Sequence, residues 1–527
     1  MASDNFLSIN KDFWSGFTEP DTDKLLLVET SYHPAMNHAN AVMAKILAQA
    51  KNLRIAWIKH KNTDEELLRS YSPNSLFIRF KEFPFLMRIK FLLRSFYYYL
   101  AYVLLKNRTL SFTYKGIPYG DFVYDGYLAT YSMATLHRLD PRIIRIFYVV
   151  INHHEQAISL LKEHNIKAVL VIHYIGLDSG PLSRVAMQQK VPVYWKGGGH
   201  EIINFAVFRG LDQIYDYPLK PSAREIDFIT AQYGEKIEED FSDLVHNSDK
   251  YFYNPFTVAY QGNVYSSFSR GEFLTKMGIA DQPIIFVMLH AFNDHPHSHF
   301  NSMLFNDYYN WFLKTLHFAC KDTGKNWIFK EHPASRFYLA RDIDLRKIMR
   351  NLPSHVKFVP SDSEINAAVV LNVANAIITC VGTAGVEMPA LRGIPAIVAG
   401  ETFYDRLGFT VEANTQEEYF SIIAAKEFMP LSYHQQLRAK CSYLYLNKYC
   451  MVPFAAGPAM TLEEMQLASS ESKDSFFTRI VRLYQEKEAL IYRQCREYAN
   501  EISKADFRKL IRLPTNAKEL LWQIASR

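Results

Sequence analysis

The segment that most constrains the fold spans residues 375–400, NAIITCVGTAGVEMPALRGIPAIVAG. Its apolar run 376–380 predicts a strand, the glycines around Thr383 predict a turn, and residues 386–391 predict a helix. Residues 394–399 predict the next buried strand. A helix that begins at a glycine turn after a parallel strand presents backbone N–H groups suited to a phosphate or carboxylate. The alternative is an ordinary βαβ crossover whose glycines only allow close packing.

Four residues of this turn and helix are candidate donor-binding groups. Thr383, Ala384 and Gly385 supply the backbone N–H groups at the predicted helix start. Glu387 lies about one turn into the helix, where its carboxylate can accept hydrogen bonds from ribose hydroxyls. The segment therefore predicts a site for the phosphate and ribose of a nucleotide.

Two further apolar runs end in polar residues. One, PIIFVMLH, ends at His290 and is followed by a loop that contains Asn293. The other, WIFK, ends at Lys330 and leads into His332 and Pro333. Because the carboxyl ends of parallel strands meet at one edge of a sheet, we expect these side chains to converge with the glycine turn. Lys330 and His332 can then donate hydrogen bonds to phosphate oxygens.

The loop after His290, AFNDHPHSH, gathers several histidines and an aspartate. Such a cluster indicates either a metal site or contacts to a donor or acceptor substrate. No further ligand group stands at a defined spacing from these residues. The sequence therefore favours substrate contacts, and we expect no bound metal.

The chain is long enough for more than one domain. Its 527 residues exceed one ordinary hydrophobic core. Strand, loop, helix and strand alternate near the amino terminus, and a second alternation starts near residue 283. We predict two Rossmann-like domains (residues 1–262 and 263–450) and a helical tail (451–527) that returns to the first domain. Polar residues 240–265 are the predicted linker.

Four polar residues of the first domain are candidate catalytic groups. His33 follows the first predicted strand, at the edge that faces the ligand crevice in open α/β sheets. Asp121 and Asp125 stand in residues 114–127, where two glycines alternate with strand-like residues. Asp178 lies at the tip of a second predicted glycine loop, YIGLDSGPLS. Each can act as a general base, while the alternative is that the acids cap helices and the histidine is solvated.

A basic aromatic segment interrupts the first alternation. Residues 81–108 contain six basic residues, one acid and eight aromatic residues. The longest uncharged run, residues 95–105, is too short to span a bilayer. The pattern is typical of a helix that lies at a membrane interface with cations toward anionic lipid. A buried helix with basic ends is the alternative.

Composition limits the remaining classes. The hydrophobic share of 49% and the charged share of 21% are typical of a folded globular protein. A net charge of +5 over this length does not indicate a nucleic-acid partner. The five cysteines form no CxxC pair and indicate reduced thiols in a cytoplasmic protein. We expect neither a signal peptide nor a transmembrane helix.

Five motifs resemble those of bacterial capsule polysaccharide and surface carbohydrate biosynthesis proteins, a group that includes transferases of 3-deoxy-D-manno-octulosonic acid (Kdo). The motifs are YKGIPYGDFVYD, YIGLDSGPLS, HAFNDHPH, KEHP and GTAGVEMPALRGIPAIVAGETFY. They lie within residues 110–405, and the last is the most specific. The resemblance implies the GT-B glycosyltransferase architecture, an α/β fold with two Rossmann-like domains facing a cleft, here with a C-terminal helical tail.

The resemblance also implies roles for individual residues. In transferases that use CMP-activated sugars, the histidine of a His-Pro motif contacts the CMP phosphate, and its counterpart here is His332. The turn formed by Thr383, Ala384 and Gly385 is implied to contact phosphate, and Glu387 to contact ribose. These roles follow from similarity, as do acceptor binding by residues 1–262 and donor binding by residues 263–450. Similarity to this group does not fix the donor sugar.

The predicted function is transfer of a sugar from a nucleotide donor, such as CMP-Kdo, to a capsule or surface polysaccharide or its lipid-linked precursor. GT-B enzymes generally need no bound metal, and we expect no cofactor beyond the nucleotide-sugar substrate. The predicted location is the cytoplasm, with peripheral contact to the inner membrane. The alternatives are a GT-B-like epimerase, a polymer phosphotransferase, and a non-catalytic subunit of a polysaccharide export complex.

Overall fold

A computed structural model describes residues 4–104, 109–198, 201–246, 268–299, 303–336, 338–363, 365, 367–458 and 470–513. The described residues belong to two compact units. The ranges of unit 1 are Met1–Val123, Pro141–Ile214 and Cys450–Arg512. The ranges of unit 2 are Tyr124–Asp140, Tyr215–Tyr449 and Leu513–Arg527.

The strands that precede residue 215 are β1 Leu25–Val28, β2 Arg54–Ile58, β3 Leu76–Ile78, β4 Thr113–Tyr114, β5 Ile117–Pro118, β6 Ile166–Val171, β7 Val193–Gly198 and β8 Ile202–Phe208. Those that follow are β9 Ile284–Met288, β10 Asn326–Lys330, β11 Val356–Val359, β12 Ala376–Thr379, β13 Ala396–Val398, β14 Thr410–Glu412 and β15 Val452–Pro453.

The helices of the first half are α1 Asp4–Ser15, α2 Pro34–Lys51, α3 Glu65–Tyr71, α4 Phe85–Leu104, α5 Gly120–Tyr131, α6 Ile143–Glu163, α7 Gly176–Gln188 and α8 Ala223–His246. Those of the second half are α9 Arg270–Met277, α10 Tyr308–Ala319, α11 Leu345–Ile348, α12 Ala367–Val373, α13 Ala384–Arg392, α14 Gln416–Ile423, α15 Tyr433–Leu444 and α16 Ser470–Ser503. Backbone kinks interrupt α8 at Tyr233 and α16 at Lys487.

Unit 2 is built on a parallel sheet of six strands in the order β11-β10-β9-β12-β13-β14. Counted along the chain within the unit, this is the 3-2-1-4-5-6 order of a doubly wound Rossmann fold. Alternate residues of β9 face opposite sides of the sheet, as strand geometry requires. Ile285 and Val287 pack into a cluster with Trp311, whereas Ile284 and Phe286 pack into the second cluster.

Unit 1 contains a sheet of seven strands in the order β15-β8-β7-β6-β1-β2-β3. The five strands β7, β6, β1, β2 and β3 run parallel. Strand β8 pairs antiparallel with β7, and β15 pairs antiparallel with β8. Every residue of β1 is buried, as is typical of parallel strands covered on both faces. The two sheets and the C-terminal helix α16 confirm the predicted α/β class with two Rossmann-like units, while the cleft stays a prediction.

The domain ranges differ from those that the sequence suggests. Residues 223–246 form α8, which belongs to unit 2 rather than to the first domain. The reason is its packing on α15, where Lys440 Nζ lies 2.6 Å from Glu238 Oε2. Beyond α15, Tyr445 Oη donates to Glu225 Oε1 at 2.7 Å. Most of the predicted linker lies outside the described residues.

The C-terminal helix α16 packs on α1 and α2 within unit 1. Trp14 Nε1 donates to Tyr484 Oη at 2.9 Å, and the rings of Phe13 and Tyr484 stack with centroids 3.8 Å apart. These contacts cover the apolar side chains of a long charged helix.

Two segments, one predicted as a loop and one as strand-like alternation, are helical, and both predictions are wrong. The segment YIGLDSGPLS is mostly the first part of α7, so Asp178 lies in a helical turn rather than at a loop tip. Pro181 lacks an N–H for the carbonyl of Leu177, and His153 Nδ1 bonds that carbonyl at 2.7 Å instead. Residues 120–131 form α5, where strand-like alternation was expected.

Candidate functional site

The strand order of unit 2 fixes where a ligand can bind. The chain reverses its direction of sheet growth between β9 and β12, and doubly wound sheets bind ligands outside the carboxyl ends of such neighbouring strands. His290 follows β9, and Gly382 follows β12. Lys330 is the last residue of β10, the next strand along the sheet. The three strand ends that the sequence singles out therefore share one edge.

His290 holds the turn after β12. Its Nε2 lies 3.1 Å from Thr379 Oγ1 and accepts from the N–H of Val381 at 3.3 Å. Gly382 N donates to Thr379 Oγ1 at 3.2 Å, which leaves the threonine hydroxyl proton for His290. Burial, assisted by the charge of His332, lowers the pKa of His290 to about 3. His290 is therefore a neutral positioning group rather than a phosphate ligand.

Helix α13 begins directly after this turn. Thr383 is its N-cap residue and is exposed, while Gly385 and Glu387 are buried. Tyr404 Oη donates to the carbonyl of Gly382 at 2.6 Å, and a β-carbon on Gly385 would overlap that tyrosine hydroxyl. The glycine is required because the tyrosine occupies the space that a side chain needs. The N–H groups of Gly385 and Val386 donate to the carbonyls of Gly382 and Thr383 at 3.0 and 2.9 Å, so an anion at this helix amino terminus would meet the N–H groups of Thr383 and Ala384 instead.

Glu387 is a buried carboxylate with an available acceptor. Its Oε1 has no hydrogen-bond partner among the residues that the structure describes. Burial raises the pKa of Glu387 to about 6, against the hydrogen bond from Thr383 that lowers it. A buried acceptor without a partner costs free energy unless a ligand or water supplies the donor. A ribose hydroxyl is such a donor.

Lys330 and His332 form the basic part of the edge. Lys330 is buried, and burial lowers its pKa to about 8, although the charge of Glu331 opposes the shift. Burial also lowers the pKa of His332, where Asp294 favours the charged form and Lys330 disfavours it. A bound phosphate would restore the charged forms of both groups.

The loop after His290 is held in place by Asp125. Asp125 Oδ2 accepts from the N–H groups of His297 and Ser298 at 3.1 and 2.8 Å, and from Ser298 Oγ at 2.5 Å. Asp125 is fully buried, so its role is to anchor the loop, and it is not a candidate base. Asn293 Oδ1 and His297 Nε2 are buried and have no hydrogen-bond partner within the described ranges.

Asp121 also has a structural role. Both of its carboxylate oxygens accept from the guanidinium of Arg184, with 2.8 Å between Oδ1 and Nη1. The pair is buried, and the guanidinium also lies 3.7 Å from the ring centroid of Phe122. A carboxylate held by a buried bidentate ion pair is not available to take a proton from a substrate. The proposal of Asp121 as a base is therefore withdrawn.

Unit 1 has its own switch point, between β1 and β6, and Glu29 lies there. Its Oε2 accepts from the N–H of Ile172 at 2.6 Å, and its Oε1 accepts from Ser179 Oγ. Burial raises the pKa of Glu29, although these hydrogen bonds oppose the shift. Sequence reasoning assigned Glu29 only to the end of a strand. Its significance depends on the strand order, which no local motif gives.

Two other polar residues lie at the same edge of unit 1. Lys196, in β7, is fully buried, and its Nζ donates to the carbonyl of Gly198 at 2.8 Å. Burial lowers the pKa of Lys196 to about 7, and the charge of Glu29 partly opposes this. Asp178 is exposed in the first turn of α7, and its charge contributes to the raised pKa of Glu29. His33 is the half-buried N-cap residue of α2, which follows β1.

The described part of the chain contains no group of three or more His, Cys, Asp or Glu residues that could hold a metal ion. In that same part, no helix combines the length and hydropathy needed to cross a membrane.

Comparison with known proteins finds solved structures at low similarity. No family model and no curated protein matches the sequence. UDP-GlcNAc 2-epimerase from Neisseria meningitidis, bound to UDP-GlcNAc, is 12% identical over 80% of this chain and 98% of its own, with a TM-score of 0.22. The glycosyltransferase SnogD from Streptomyces nogalater is 10% identical over 81% and 95%, with a TM-score of 0.24. MurG from Acinetobacter baumannii is 10% identical over 96% and 100%, with a TM-score of 0.20.

Proposed function

We propose that this chain is a glycosyltransferase that moves a sugar from a nucleotide donor to a glycan or a lipid-linked glycan precursor. The donor nucleotide would bind at the carboxyl edge of the sheet of unit 2. The observation that carries the proposal is the buried Glu387, whose Oε1 has no hydrogen-bond partner among the described residues, in the helix that follows the glycine turn at a Rossmann switch point. Lys330 and His332, at the end of β10 and two strands away from β12, would supply the cations for a phosphate.

In this proposal, unit 2 stabilises the leaving group. As the bond between the anomeric carbon and the phosphate oxygen breaks, negative charge grows on the nucleotide phosphate. Lys330, protonated His332 and the first amides of α13 would meet that charge without a metal ion. Glu387 would accept hydrogen bonds from the ribose, while the side chain of Thr383, which hydrogen-bonds Glu387, holds that carboxylate in place.

A group of unit 1 would take the proton from the acceptor hydroxyl. Glu29, Asp178 and His33 remain candidates, and a Glu29 base would have to exchange the hydrogen bonds that its carboxylate accepts from Ile172 and Ser179 for one from the acceptor. Variants Glu29→Gln, Asp178→Asn and His33→Gln separate the three. We expect the variant that removes the true base to lose turnover and to keep its affinity for the donor.

The donor sugar and the acceptor are finer proposals. The resemblance of the KEHP and GTAGVEMPALRG motifs favours a CMP-activated sugar, with CMP-Kdo as the first donor to test, and a bacterial capsule or surface glycan as acceptor. No cofactor beyond the nucleotide sugar and no nucleic-acid partner is proposed. The proposed location is cytoplasmic, with peripheral membrane contact.

A nucleotide screen tests the site. Thermal unfolding of the purified full chain is followed with CMP, CDP, UDP and GDP, and we expect one of them to stabilise the protein. His332→Ala should lower the affinity for that nucleotide at least tenfold, because a charge-assisted hydrogen bond to phosphate contributes about 1.5–3 kcal/mol to binding. His434→Ala, on the exposed face of α15, is the matched control. Unchanged affinity in His332→Ala would refute the phosphate assignment.

Turnover distinguishes the rival functions. Release of nucleotide only when an acceptor is present supports transfer. Conversion of a UDP-sugar into its epimer without an acceptor would establish an epimerase instead. Nucleotide-sugar binding with no turnover on any acceptor would favour a binding subunit of an assembly complex.

A further inference from the structure

We propose that helix α4 seats this protein on the surface of an anionic lipid bilayer. This surface inference stands on observations of α4 alone and is independent of the proposed sugar transfer. Helix α4 has two apolar faces, and among the residues that the structure describes only one of them is covered. The covered face contains Phe91 and Ser95, which are both fully buried. It packs on α6, where the ring of Tyr98 lies 6.1 Å from that of Phe147.

The opposite face of α4 forms an exposed apolar stripe, defined here as Phe85, Leu86, Ile89, Leu92, Leu93, Phe96 and Tyr97. Exposure reaches 78% at Leu86 and 65% at Leu93. At about 100° per residue, these positions cover an arc of roughly 140°, away from the buried face. A continuous stripe of seven large side chains is unusual on a soluble surface and marks an interaction site.

The charges beside the stripe favour a bilayer as the occupant. Helix α4 contains three basic residues and no acid. Arg88 and Lys90 are exposed and border the stripe on its two sides. Such a helix inserts its apolar side chains among acyl chains while its cations meet anionic headgroups. A twofold dimer through the same stripe would bring like charges of the two copies together, which costs free energy.

The shape of the helix also fits this role. Its 20 residues give a length of about 30 Å, and its three basic residues and its buried face place it along the surface rather than across a membrane. Tyr97, at 66% exposure, supplies an amphipathic ring of the kind found at headgroup depth. The apolar stripe predicts insertion, and the flanking cations predict a preference for anionic lipid.

Vesicle sedimentation tests the proposal with the full chain and no nucleotide sugar present. We expect the protein to pellet with vesicles of phosphatidylcholine and phosphatidylglycerol, and at least tenfold less with phosphatidylcholine alone. The double variant Leu86→Glu and Leu93→Glu should lose at least tenfold in binding to the anionic vesicles. Lys90→Gln should show a smaller loss that shrinks at high salt.

The matched control is the double variant Met429→Glu and Tyr433→Glu, which adds the same charge at exposed apolar positions of unit 2. We expect it to bind anionic vesicles like the native chain. Circular dichroism and thermal unfolding verify that both double variants fold. Equal pelleting of native protein and the α4 variant would overturn the proposal. The proposal would also be overturned if the native protein formed a dimer and did not bind vesicles, and if the α4 variant were monomeric. Because no sugar transfer is measured, failure here is distinct from failure of the proposed function.

Discussion

At the scale of single residues, burial and partners separate chemical groups from structural ones. Asp121 and Glu387 are both buried acids in the first turns of helices. The carboxylate of Asp121 is occupied by Arg184, whereas one oxygen of Glu387 has no partner among the described residues. The spacing of acids in the sequence cannot make this distinction, because both the partner and the burial come from distant parts of the chain.

Donor binding should have a pH window set by Lys330 and Glu387. Lys330 has a pKa of about 8, so it loses its positive charge as the pH rises above that value. Glu387 has a pKa of about 6, so it becomes protonated as the pH falls below that value. Nucleotide affinity should therefore be greatest between these limits and fall outside them by up to about tenfold per pH unit. Calorimetric titration across this range measures it.

Two variants assign the limbs of that profile. Lys330→Met should flatten the alkaline limb and leave the acid limb in place. Glu387→Gln should flatten the acid limb, since the amide oxygen still accepts a hydrogen bond at any pH. If both variants kept the native profile, these residues would not be the titrating groups.

At the scale of elements, the start of α13 depends on the fit between Gly385 and Tyr404. Gly385→Ala should destabilise the fold by about 1–3 kcal/mol, because the new methyl group overlaps the tyrosine hydroxyl. Tyr404→Phe should cost about 1 kcal/mol through loss of the hydrogen bond to Gly382. Urea unfolding measures both.

The double variant tests whether the two residues act together. Removing the hydroxyl relieves the closest contact of the added methyl group, so the double variant should lose less stability than the sum of the single variants. Nucleotide affinity should recover in parallel, since the amides of α13 return to position. Additive losses would contradict this coupling.

Local patterns predicted the second sheet well. Strands β9, β10 and β12 and helix α13 fall within two residues of their predicted ends, because short apolar runs and glycine turns are local signals. Helix α5 and the first two turns of α7 were missed, whereas residues 184–189 were predicted as a helix. The glycines and the proline of the missed parts favour loops in the absence of tertiary contacts. The contact of His153 with Leu177 that accommodates Pro181 joins α6 to α7 and has no local signature.

Residues at the switch points show the same limit. His290, Lys330 and Gly382 were predicted to share an edge, since each lies at the end of an apolar run, marked by a polar residue or a glycine turn. Glu29 was missed, although it also follows a strand, because only the sheet order places it between β1 and β6. Strand order follows from long-range pairing, which a single sequence does not reveal.

At the scale of the whole molecule, unit 1 is assembled from three separate stretches of chain, and α16 completes it. Tyr484 of α16 is central to this assembly. It accepts from Trp14 Nε1 at 2.9 Å and donates to Asn10 Oδ1 at 2.7 Å, and all three side chains are buried. The tail is therefore a part of the core of unit 1 rather than an appendage.

Tyr484→Ala should loosen unit 1 and leave unit 2 unchanged. The lost ring leaves a cavity, and Trp14 Nε1 and Asn10 Oδ1 lose their hydrogen bonds to Tyr484. Together these changes should lower the stability of unit 1 by about 3–5 kcal/mol. Hydrogen exchange measured by mass spectrometry should show faster exchange in α2 and β1, with unchanged exchange in β9 and β12. Tyr433→Ala, at an exposed position of unit 2, is the control that should alter neither. Equal acceleration in both sheets, or none in α2, would show that α16 does not stabilise unit 1 in this way.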